Sequence, residues 1–437
     1  MVAERPIRRP ERDAILQSLA AGVVPRRGLQ HVQVGRADEI RAILGDFDRI
    51  AAGGAAIRFL IGEYGSGKTF FIHLLRSAAH EKNLVTMHAD LTPDRRLHAT
   101  GGQARALYSE LARNVSTRTN PEGGAMAGIV ERFISAALQD ARNSGTTVDS
   151  VIEDRLQSLT EMVGGYEFAE VIGAYWRGHD RGETDLKEAA LRWLRGEYAT
   201  RTDARRDLAV RTIVDDASVY DHLKILARFV LLSGYAGLVI AFDELVNIYK
   251  MSNTQARTSN YEQILRILND NLQGTVEHMG VLMAGTPEFL TDTRRGLYSY
   301  EALQTRLAEN AFAASGLKDL SGPVVRLGSL TPEELYVLLT KLRHVQAAGD
   351  SSAYLIDDTG LQAFMTHCGR RVGDAYFRTP RNTVKAFVNL LAILEQNPGV
   401  TWTALLEGVS VESDGGDADG ASLSQDDDSD ELTSFRL

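Results

Sequence analysis

The chain has 437 residues, of which 44% are hydrophobic and 24% charged, and its formal net charge is −10 at pH 7. This length predicts two or three folding units rather than one. A single cysteine, Cys368, excludes a disulfide framework and a thiolate zinc site, and the absence of a signal peptide or membrane-length apolar stretch predicts a cytoplasmic protein.

Residues 1–33 combine a basic arm with a predicted helix at residues 13–21. The arginines of the arm are Arg5, Arg8, Arg9 and Arg12. Such an arm either contacts the phosphate backbone of a nucleic acid or is only a solvated terminus, and the sequence leaves both readings open. A second helix is predicted from residue 34 to about residue 52.

A glycine-rich segment lies between a predicted buried strand at residues 57–61 and a predicted helix at residues 70–79. The segment and the first residue of the helix are Gly62, Glu63, Tyr64, Gly65, Ser66, Gly67, Lys68, Thr69 and Phe70. This is the phosphate-loop pattern: its glycines let backbone N–H groups wrap a polyphosphate, Lys68 reaches the β- and γ-phosphates, and the Thr69 hydroxyl ligates Mg²⁺. A simple glycine turn is the alternative, and the Lys-Thr ending argues against it. The segment therefore predicts binding of ATP or another nucleoside triphosphate.

A helical insertion is predicted at about residues 116–219, after a strand at residues 84–90 and a helix at residues 100–115. Its charges and small residues surround apolar positions at helical spacing. The predicted helices cover residues 129–141, 148–163, 166–178 and 186–198. Arginines near its end, including Arg201 and Arg206, interleave with aspartates, so a solvated charged face is favoured over a DNA-binding surface.

An apolar run at residues 237–242 predicts a central parallel strand that is buried on both faces. Asp243 and Glu244 follow it directly. We expect Asp243 to hold Mg²⁺, directly or through a water, and Glu244 to orient and deprotonate an attacking water. The alternative for this pair is a solvated turn. With the phosphate loop present, the carboxylates predict ATP hydrolysis.

The remaining pattern completes an α/β fold and then becomes purely helical. Strands at residues 280–284 and 323–327 alternate with helices, which predicts a doubly wound parallel sheet with its ligand at the carboxyl ends of the strands. Residues 331–410 are predicted to form a helical lid, with helices at 332–345, 358–368 and 380–396. Residues 411–437 contain most of the acidic excess and are predicted to be a disordered tail.

These features together resemble the AAA+ ATPases, which implies an AAA+-like core at residues 34–330. The resemblance is carried by the phosphate loop, the Asp-Glu strand end, the third strand ending in Ala284-Gly285-Thr286-Pro287, and the lid helix beginning Thr379-Pro380-Arg381. The segment from Val34 to Ile40 is similar to the adenine-side segment of the origin-recognition branch. This similarity implies that Gly35 and Arg36 bind the nucleotide.

A closer similarity covers most of the chain. The motifs that carry it lie at residues 62–71, 88–97, 242–245 and 285–289. Together they resemble the ATP-binding protein of BREX-type bacteriophage-exclusion systems, a family of P-loop proteins encoded beside methyltransferases, helicases and other defence components. The resemblance implies anti-phage defence, partner proteins from the same system, and duplex DNA as a further candidate partner.

The AAA+ resemblance also implies roles for several polar residues outside the phosphate loop. Thr286 matches the polar sensor that follows the third strand, and Arg381 matches the lid arginine that folds back on the γ-phosphate. Arg306 matches the arginine finger that is supplied across a subunit boundary, with Arg294 and Arg295 as the reserve candidates. A finger of this kind implies a homo-oligomer, and a ring is one form that such an assembly takes.

Three functions are consistent with this interpretation. The leading one is an ATPase whose nucleotide cycle assembles or remodels a DNA-associated defence complex. The second is a nucleotide-gated binding switch or scaffold with negligible turnover, and the third is a ring-forming motor that translocates DNA. The sequence leaves open the subunit number, the protein partners and the segment that contacts DNA.

Overall fold

The computed structural model describes residues 7–310, 319–372 and 380–408. Arg5, Thr379 and the predicted acidic tail lie outside the described residues. The protein is an α/β protein with a five-stranded sheet in the order β2-β3-β4-β1-β5. Every strand pair is parallel, so the predicted α/β class with a parallel sheet is confirmed.

The strands are short, apolar and close to the predicted segments. They are β1 (Ala55–Ile61), β2 (Val85–Asp90), β3 (Leu238–Asp243), β4 (Met279–Gly285) and β5 (Val324–Arg326). All residues of β3 and β4 are buried, as expected for inner parallel strands covered on both faces. In the sheet, β4 lies between β1 and β3. The predicted phosphate loop after β1 and the Asp-Glu pair after β3 therefore lie at the same edge of the sheet, on either side of β4.

The helices before the last strand fall into three groups along the chain. The first group is α1 (Arg9–Ala20), α2 (Leu29–Val32), α3 (Ala37–Ala51), α4 (Lys68–Glu81) and α5 (Gln103–Arg113). Between α5 and β3 lie α6 (Met126–Ser144), α7 (Val148–Thr160), α8 (Gly165–Arg181), α9 (Thr184–Leu194), α10 (Arg201–Leu208) and α11 (Val219–Leu232). Between β3 and β5 lie α12 (Val246–Tyr249), α13 (Thr254–Leu272), α14 (Pro287–Thr291) and α15 (Glu301–Leu307).

The two faces of the sheet contribute to different hydrophobic cores. On one face, Phe47 of α3 and Leu75 of α4 pack in a core that includes Leu60 of β1. On the other face, Phe59 of β1 belongs to a continuous core that extends through helices α5 to α11 and includes Trp193. The Trp193 indole N–H also donates to the Thr212 carbonyl at 2.8 Å. The helices between β2 and β3 are therefore packed into the core of the sheet.

The arginines near the end of this helical segment are paired with carboxylates. Arg201 lies 3.2 Å from Asp215, and Arg206 lies 3.0 Å from Asp203. These ion pairs agree with the solvated charged face predicted from the interleaved arginines and aspartates.

A third core joins the N-terminal helix to the helices after β5. Those helices are α16 (Pro332–Gln346), α17 (Asp358–Val372), α18 (Pro380–Gln396) and α19 (Trp402–Gly408). Ile15 of α1 packs in the same core as Leu339 of α16 and Phe387 of α18. Arg12 donates to the Gln346 carbonyl at 2.5 Å and also pairs with Glu395. Arg12, predicted as part of a basic arm, is thus bound to the C-terminal helices.

A buried ion pair positions the chain that enters β5. Arg58 of β1 contacts Asp46 of α3 through two hydrogen bonds, at 2.6 and 3.0 Å. The same guanidinium donates to the Leu320 carbonyl at 2.8 Å. Both side chains are buried, so this pair fixes the approach to the last strand and to the C-terminal helices beyond it.

Candidate nucleotide-binding site

The phosphate loop connects β1 to α4 and needs its glycines. Gly65 and Gly67 have φ values of +75° and +82°, a left-handed region that glycine enters without a Cβ penalty. At Gly62 a Cβ atom would lie 2.7 Å from the Leu327 carbonyl oxygen, so a side chain does not fit there. The loop ends where α4 begins at Lys68, and the N–H groups and dipole at a helix N-terminus favour anions.

Two side chains of the loop suit a phosphate ligand. The Lys68 ammonium donates to the carbonyls of Gly62 and Glu63, each at 2.9 Å. Burial lowers the pKa of Lys68, although Asp243 and Glu244 act in the opposite direction. Ser66 Oγ is buried and has no hydrogen-bond partner among the described residues. A polyphosphate oxygen would satisfy both the ammonium and this hydroxyl.

Thr69 and Asp243 form the predicted metal pair. The Thr69 hydroxyl donates to Asp243 Oδ2 at 2.7 Å. A hydroxyl and a carboxylate are oxygen donors of the kind that Mg²⁺ prefers, so the pair fits the predicted ion. Across the described ranges there is no cluster of three or more His, Cys, Asp or Glu side chains that could hold a metal. The other ligands of Mg²⁺ would therefore be phosphate oxygens and waters, which is usual for this ion.

Glu244 follows Asp243 in a constrained backbone conformation. Its φ is +56°, which costs about 1–2 kcal/mol for a residue with a Cβ, and its N–H donates to Asp243 Oδ1 at 2.8 Å. Partial burial and the adjacent Asp243 carboxylate raise the pKa of Glu244. The residue lines the cavity described below, where it can face a ligand held by the loop.

Sequence reasoning missed a third carboxylate at this edge. Asp90 ends β2 and pairs in register with Asp243 of β3. Burial, followed by repulsion from Asp243, raises the pKa of Asp90. The sequence signal that could have identified Asp90 is its position. It ends the strand predicted at residues 84–90, just as Asp243 ends the neighbouring strand in the sheet.

Gly35 and Arg36 lie between the phosphate loop and helix α16. The Arg36 guanidinium donates to the Ser66 carbonyl and, at 3.1 Å, to the Gly328 carbonyl. Its Cζ atom also lies 5.6 Å from the centre of the Phe71 ring, and burial lowers its pKa. A Cβ on Gly35, whose φ is +67°, would collide with Glu334 of α16. In this structure Arg36 therefore braces the loop backbone.

A cavity of about 630 Å³ opens beside the phosphate loop. Residues 64–70 of the loop and of α4 line it, together with Gly35, Arg36 and Glu244. Its apolar wall comes from Leu74, Leu330, Leu338 and Val384. An apolar cavity with a few placed polar groups is typical of a small-ligand site. His73 and Arg26 also line it, and sequence reasoning identified neither.

Arg381 and Thr286 occupy different positions relative to this cavity. Arg381, at the start of α18, lines it and donates to the Gly22 carbonyl at 2.8 Å. Thr286 is outside the lining and caps α14, since its hydroxyl accepts from the Phe289 N–H at 3.4 Å. It remains close to the phosphate loop, because the Gly62 N–H donates to the Gly285 carbonyl at 3.2 Å.

The three finger candidates lie outside the cavity lining. Arg306 is exposed on α15 and donates to the Ala302 carbonyl of its own helix at 2.9 Å. Arg295 donates to the carbonyls of Tyr249 and Met251 at 3.3 and 3.2 Å, which holds its guanidinium against its own chain. The Arg294 backbone N–H is bound to Asp292 at 2.7 Å. An arginine that acts on a neighbouring subunit must be at the surface, and all three candidates are exposed.

Comparison with known protein families gives a match over most of the chain. A family model described as BREX system ATP-binding protein BrxC/D matches residues 7–410, which include the sheet, the helices between β2 and β3, and the C-terminal helices. No curated protein matches the chain. None of the helices in the described ranges has both the length and the hydropathy that a membrane crossing requires.

Proposed function

Because the chain belongs to the BREX system ATP-binding protein BrxC/D family, we propose that it binds ATP with Mg²⁺ at the phosphate loop and hydrolyses it. The observation that carries this proposal is the 2.7 Å hydrogen bond between Thr69 and Asp243, beside a phosphate loop and directly before Glu244. A metal-binding pair, a phosphate cradle and a candidate base then occupy the same edge of the sheet.

Different residues of the chain bind the nucleotide and transfer the proton. The N–H groups of the loop and the Lys68 ammonium bind the β- and γ-phosphates. Thr69 and Asp243 would hold a bound Mg²⁺ ion, which would supply positive charge to the phosphate oxygens. Glu244 orients the attacking water and accepts its proton, a role that burial and the nearby Asp243 carboxylate assist by raising its pKa.

Hydrolysis is completed between subunits in this proposal. Arg306 lies on the surface, outside the cavity of its own chain, and in this proposal it acts on a neighbour's nucleotide. In comparable nucleotide hydrolases an arginine finger contributes about 10³- to 10⁵-fold in rate. Formation of a homo-oligomer would then control activity. Arg381 and Thr286 are proposed as the lid arginine and the γ-phosphate sensor of the same site.

The nucleotide cycle would assemble or remodel a defence complex on DNA. The family supports membership of a multi-protein defence system, with methyltransferase or helicase components as the proposed partners. Duplex DNA is a proposed partner of that complex. The ion pairs of Arg201 and Arg206 give no support to a DNA surface at the end of the helical insertion.

A nucleotide-gated switch is the second candidate. It is favoured by the construction of the cavity, whose walls come both from the phosphate loop and from Leu19 and Val384, which pack in the core shared by α1 and α18. A nucleotide that contacts both walls would stabilise the arrangement in which they lie together, without any turnover.

A paired measurement separates these functions. The mass of the protein is determined with and without ATP and Mg²⁺, and ATP hydrolysis is measured with and without duplex DNA. Hydrolysis that appears with ATP-dependent assembly supports the proposed function. ATP-dependent assembly without hydrolysis favours the switch, and absence of ATP binding rejects both. Hydrolysis that requires DNA would favour the DNA motor.

A further inference from the structure

His73 lines the cavity one and a half turns beyond the phosphate loop. It lies five residues after Lys68 on α4, which corresponds to about 7.5 Å along the helix axis. Its side chain is half-buried and contributes to the cavity wall next to Leu74. A triphosphate held at the start of α4 would therefore place its nucleoside, rather than its phosphates, beside His73.

Arg76 fixes the tautomer of His73. An Arg76 terminal nitrogen lies 3.0 Å from His73 Nδ1. A guanidinium donates hydrogen bonds and cannot accept them, so Nδ1 must accept and the ring proton must be on Nε2. Arg76 is only 7% exposed and also donates to Ser116 Oγ at 3.1 Å, so the partner that sets this tautomer is itself held in place.

His73 is neutral at physiological pH. Burial lowers the pKa of His73 to about 4, and Arg76 and Arg26 act in the same direction, while Glu122 opposes them. A neutral imidazole with its proton on Nε2 offers one N–H donor. Within the described residues, His73 Nε2 makes no hydrogen bond. It is also not one of the fully buried polar atoms that lack a partner, so its N–H is accessible to a ligand in the cavity.

We propose that His73 Nε2–H donates a hydrogen bond to an acceptor on the nucleoside of the bound nucleotide, either a purine ring nitrogen or a ribose oxygen. Arg76 is the positioning residue, since it presents Nε2–H to the cavity by occupying Nδ1. A small number of fixed polar groups in an otherwise apolar wall orients the ligand in such sites, and His73 is one of the polar groups of this cavity. This inference rests on the proposed function of the cavity as the nucleotide site.

Two substitutions at His73 test the donor. Asn places a polar atom near the Nδ1 position and can still accept from Arg76, whereas Gln reaches the Nε2 position with an amide N–H. We expect His73→Asn to weaken ATP binding about three- to tenfold, the size of one lost neutral hydrogen bond. His73→Gln should restore most of the affinity. His179→Asn, the same change at an exposed position on α8, should have no effect.

Binding of inorganic triphosphate separates the nucleoside from the phosphates. Its affinity should be the same in the wild type and in His73→Asn, because His73 contacts no phosphate. A His73→Asn effect that is absent with 2′-deoxy-ATP identifies the 2′-hydroxyl as the acceptor, and an effect that persists identifies another nucleoside acceptor.

Three results would overturn the inference. They are unchanged ATP affinity in a folded His73→Asn protein, equal losses for ATP and inorganic triphosphate, and equal losses in the Asn and Gln variants. If the wild-type protein binds neither ATP nor triphosphate, the proposed nucleotide site fails as well. If it binds both and the variants follow one of the three results, only the role of His73 fails. Thermal unfolding of each variant establishes that it is folded.

Discussion

Thr69 and Asp243 are joined by a 2.7 Å hydrogen bond although 174 positions separate them in the chain. One opens α4 after β1, and the other ends β3. The sheet order puts β4 between these strands, so the pair forms only when three strands have assembled in register. Substitutions in the phosphate loop should therefore affect ligand binding more than folding, because the strands hold the site.

Lys68→Ala should abolish tight ATP binding and leave the fold intact. The change removes the cation predicted to contact the β- and γ-phosphates, and loss of a charged hydrogen bond should weaken ATP binding by at least about tenfold. Calorimetric titration with ATP and Mg²⁺ measures the affinity, and thermal unfolding checks the fold. Lys82→Ala is the control, since Lys82 follows the other end of α4 and pairs with Asp48. Unchanged ATP affinity in folded Lys68→Ala would reject the site.

Glu244→Gln should bind ATP but hydrolyse it at least about 10²-fold more slowly, because the amide cannot accept a proton from water. Steady-state phosphate release and ATP titration measure the two effects separately. Glu262→Gln, at an exposed position on α13, is the matched control. If the parent protein hydrolyses no ATP in any assembly state, the switch replaces the enzyme as the better description.

Arg306→Ala and Lys68→Ala should complement each other when mixed. The first variant keeps its phosphate loop and the second keeps its finger, so one class of mixed interface contains both parts. We expect little ATPase activity from either variant alone and partial recovery in the mixture, measured by phosphate release. Native mass measurement must establish that both chains are present. Failure of recovery in such mixtures, or full activity in a monomer, would count against a finger at Arg306.

Histidines with buried or half-buried side chains should make the protein less stable in mild acid. Burial lowers the pKa of His73 and His80 to about 4 and that of His88 to about 3, below the ordinary value of about 6.5. The unfolded chain therefore binds more protons below about pH 6.5, and stability falls as the pH decreases from there toward about 4. Each histidine contributes up to about 1.4 kcal/mol per pH unit in this window.

Urea unfolding at pH 7.5, 6 and 5 measures this dependence. His80 is the best residue to vary, since it is buried and its Nε2 lies 3.0 Å from Thr86 Oγ1. His80→Gln removes one titrating group and should reduce the slope between pH 6 and pH 5. A free energy of unfolding that does not change between pH 7.5 and pH 5 would contradict the assignment of neutral buried histidines.

Arg36→Ala should weaken ATP binding through the phosphate loop. Arg36 holds the Ser66 carbonyl and the Gly328 carbonyl together, and without it the loop must be ordered at the expense of binding energy. We expect at least about a tenfold loss of affinity, the size of one hydrogen bond of a charged group. Arg41→Ala on α3, the helix that begins directly after Arg36, is the control, since Arg41 pairs with Asp38. Equal ATP affinity for Arg36→Ala and Arg41→Ala would remove the bracing role.

Patterns local in the sequence predicted the strands and most helices well. The helix predicted at residues 380–396 has the bounds of α18 (Pro380–Gln396), and the apolar run at 237–242 corresponds to β3 (Leu238–Asp243). The resemblance to BREX ATP-binding proteins is confirmed by the family match to residues 7–410. These successes rest on hydrophobic periodicity and on a loop whose chemistry requires fixed residue types.

Tertiary contacts account for what the sequence did not reveal. Few residues of the charged helix α10 are apolar, so the sequence pattern indicated only a cluster of arginines. In the structure this helix is held by the packing of Ala204 and Leu208. Asp90 becomes part of the site through its register with Asp243. The donor on His73 depends on Arg76, whose role is visible only once the side chain is seen to be buried. No local pattern encodes such contacts.

The continuous core that runs from the sheet into helices α5 to α11 makes these helices part of one cooperative folding unit. Phe59 of the sheet and Trp193 of α9 belong to the same core, whereas Leu339 and Phe387 belong to another. Amide hydrogen exchange should therefore protect the insertion and the sheet to a similar degree, with α1 and the C-terminal helices forming a second group. Deleting the insertion would strip one face of the sheet of its cover and leave a chain that aggregates rather than a smaller ATPase.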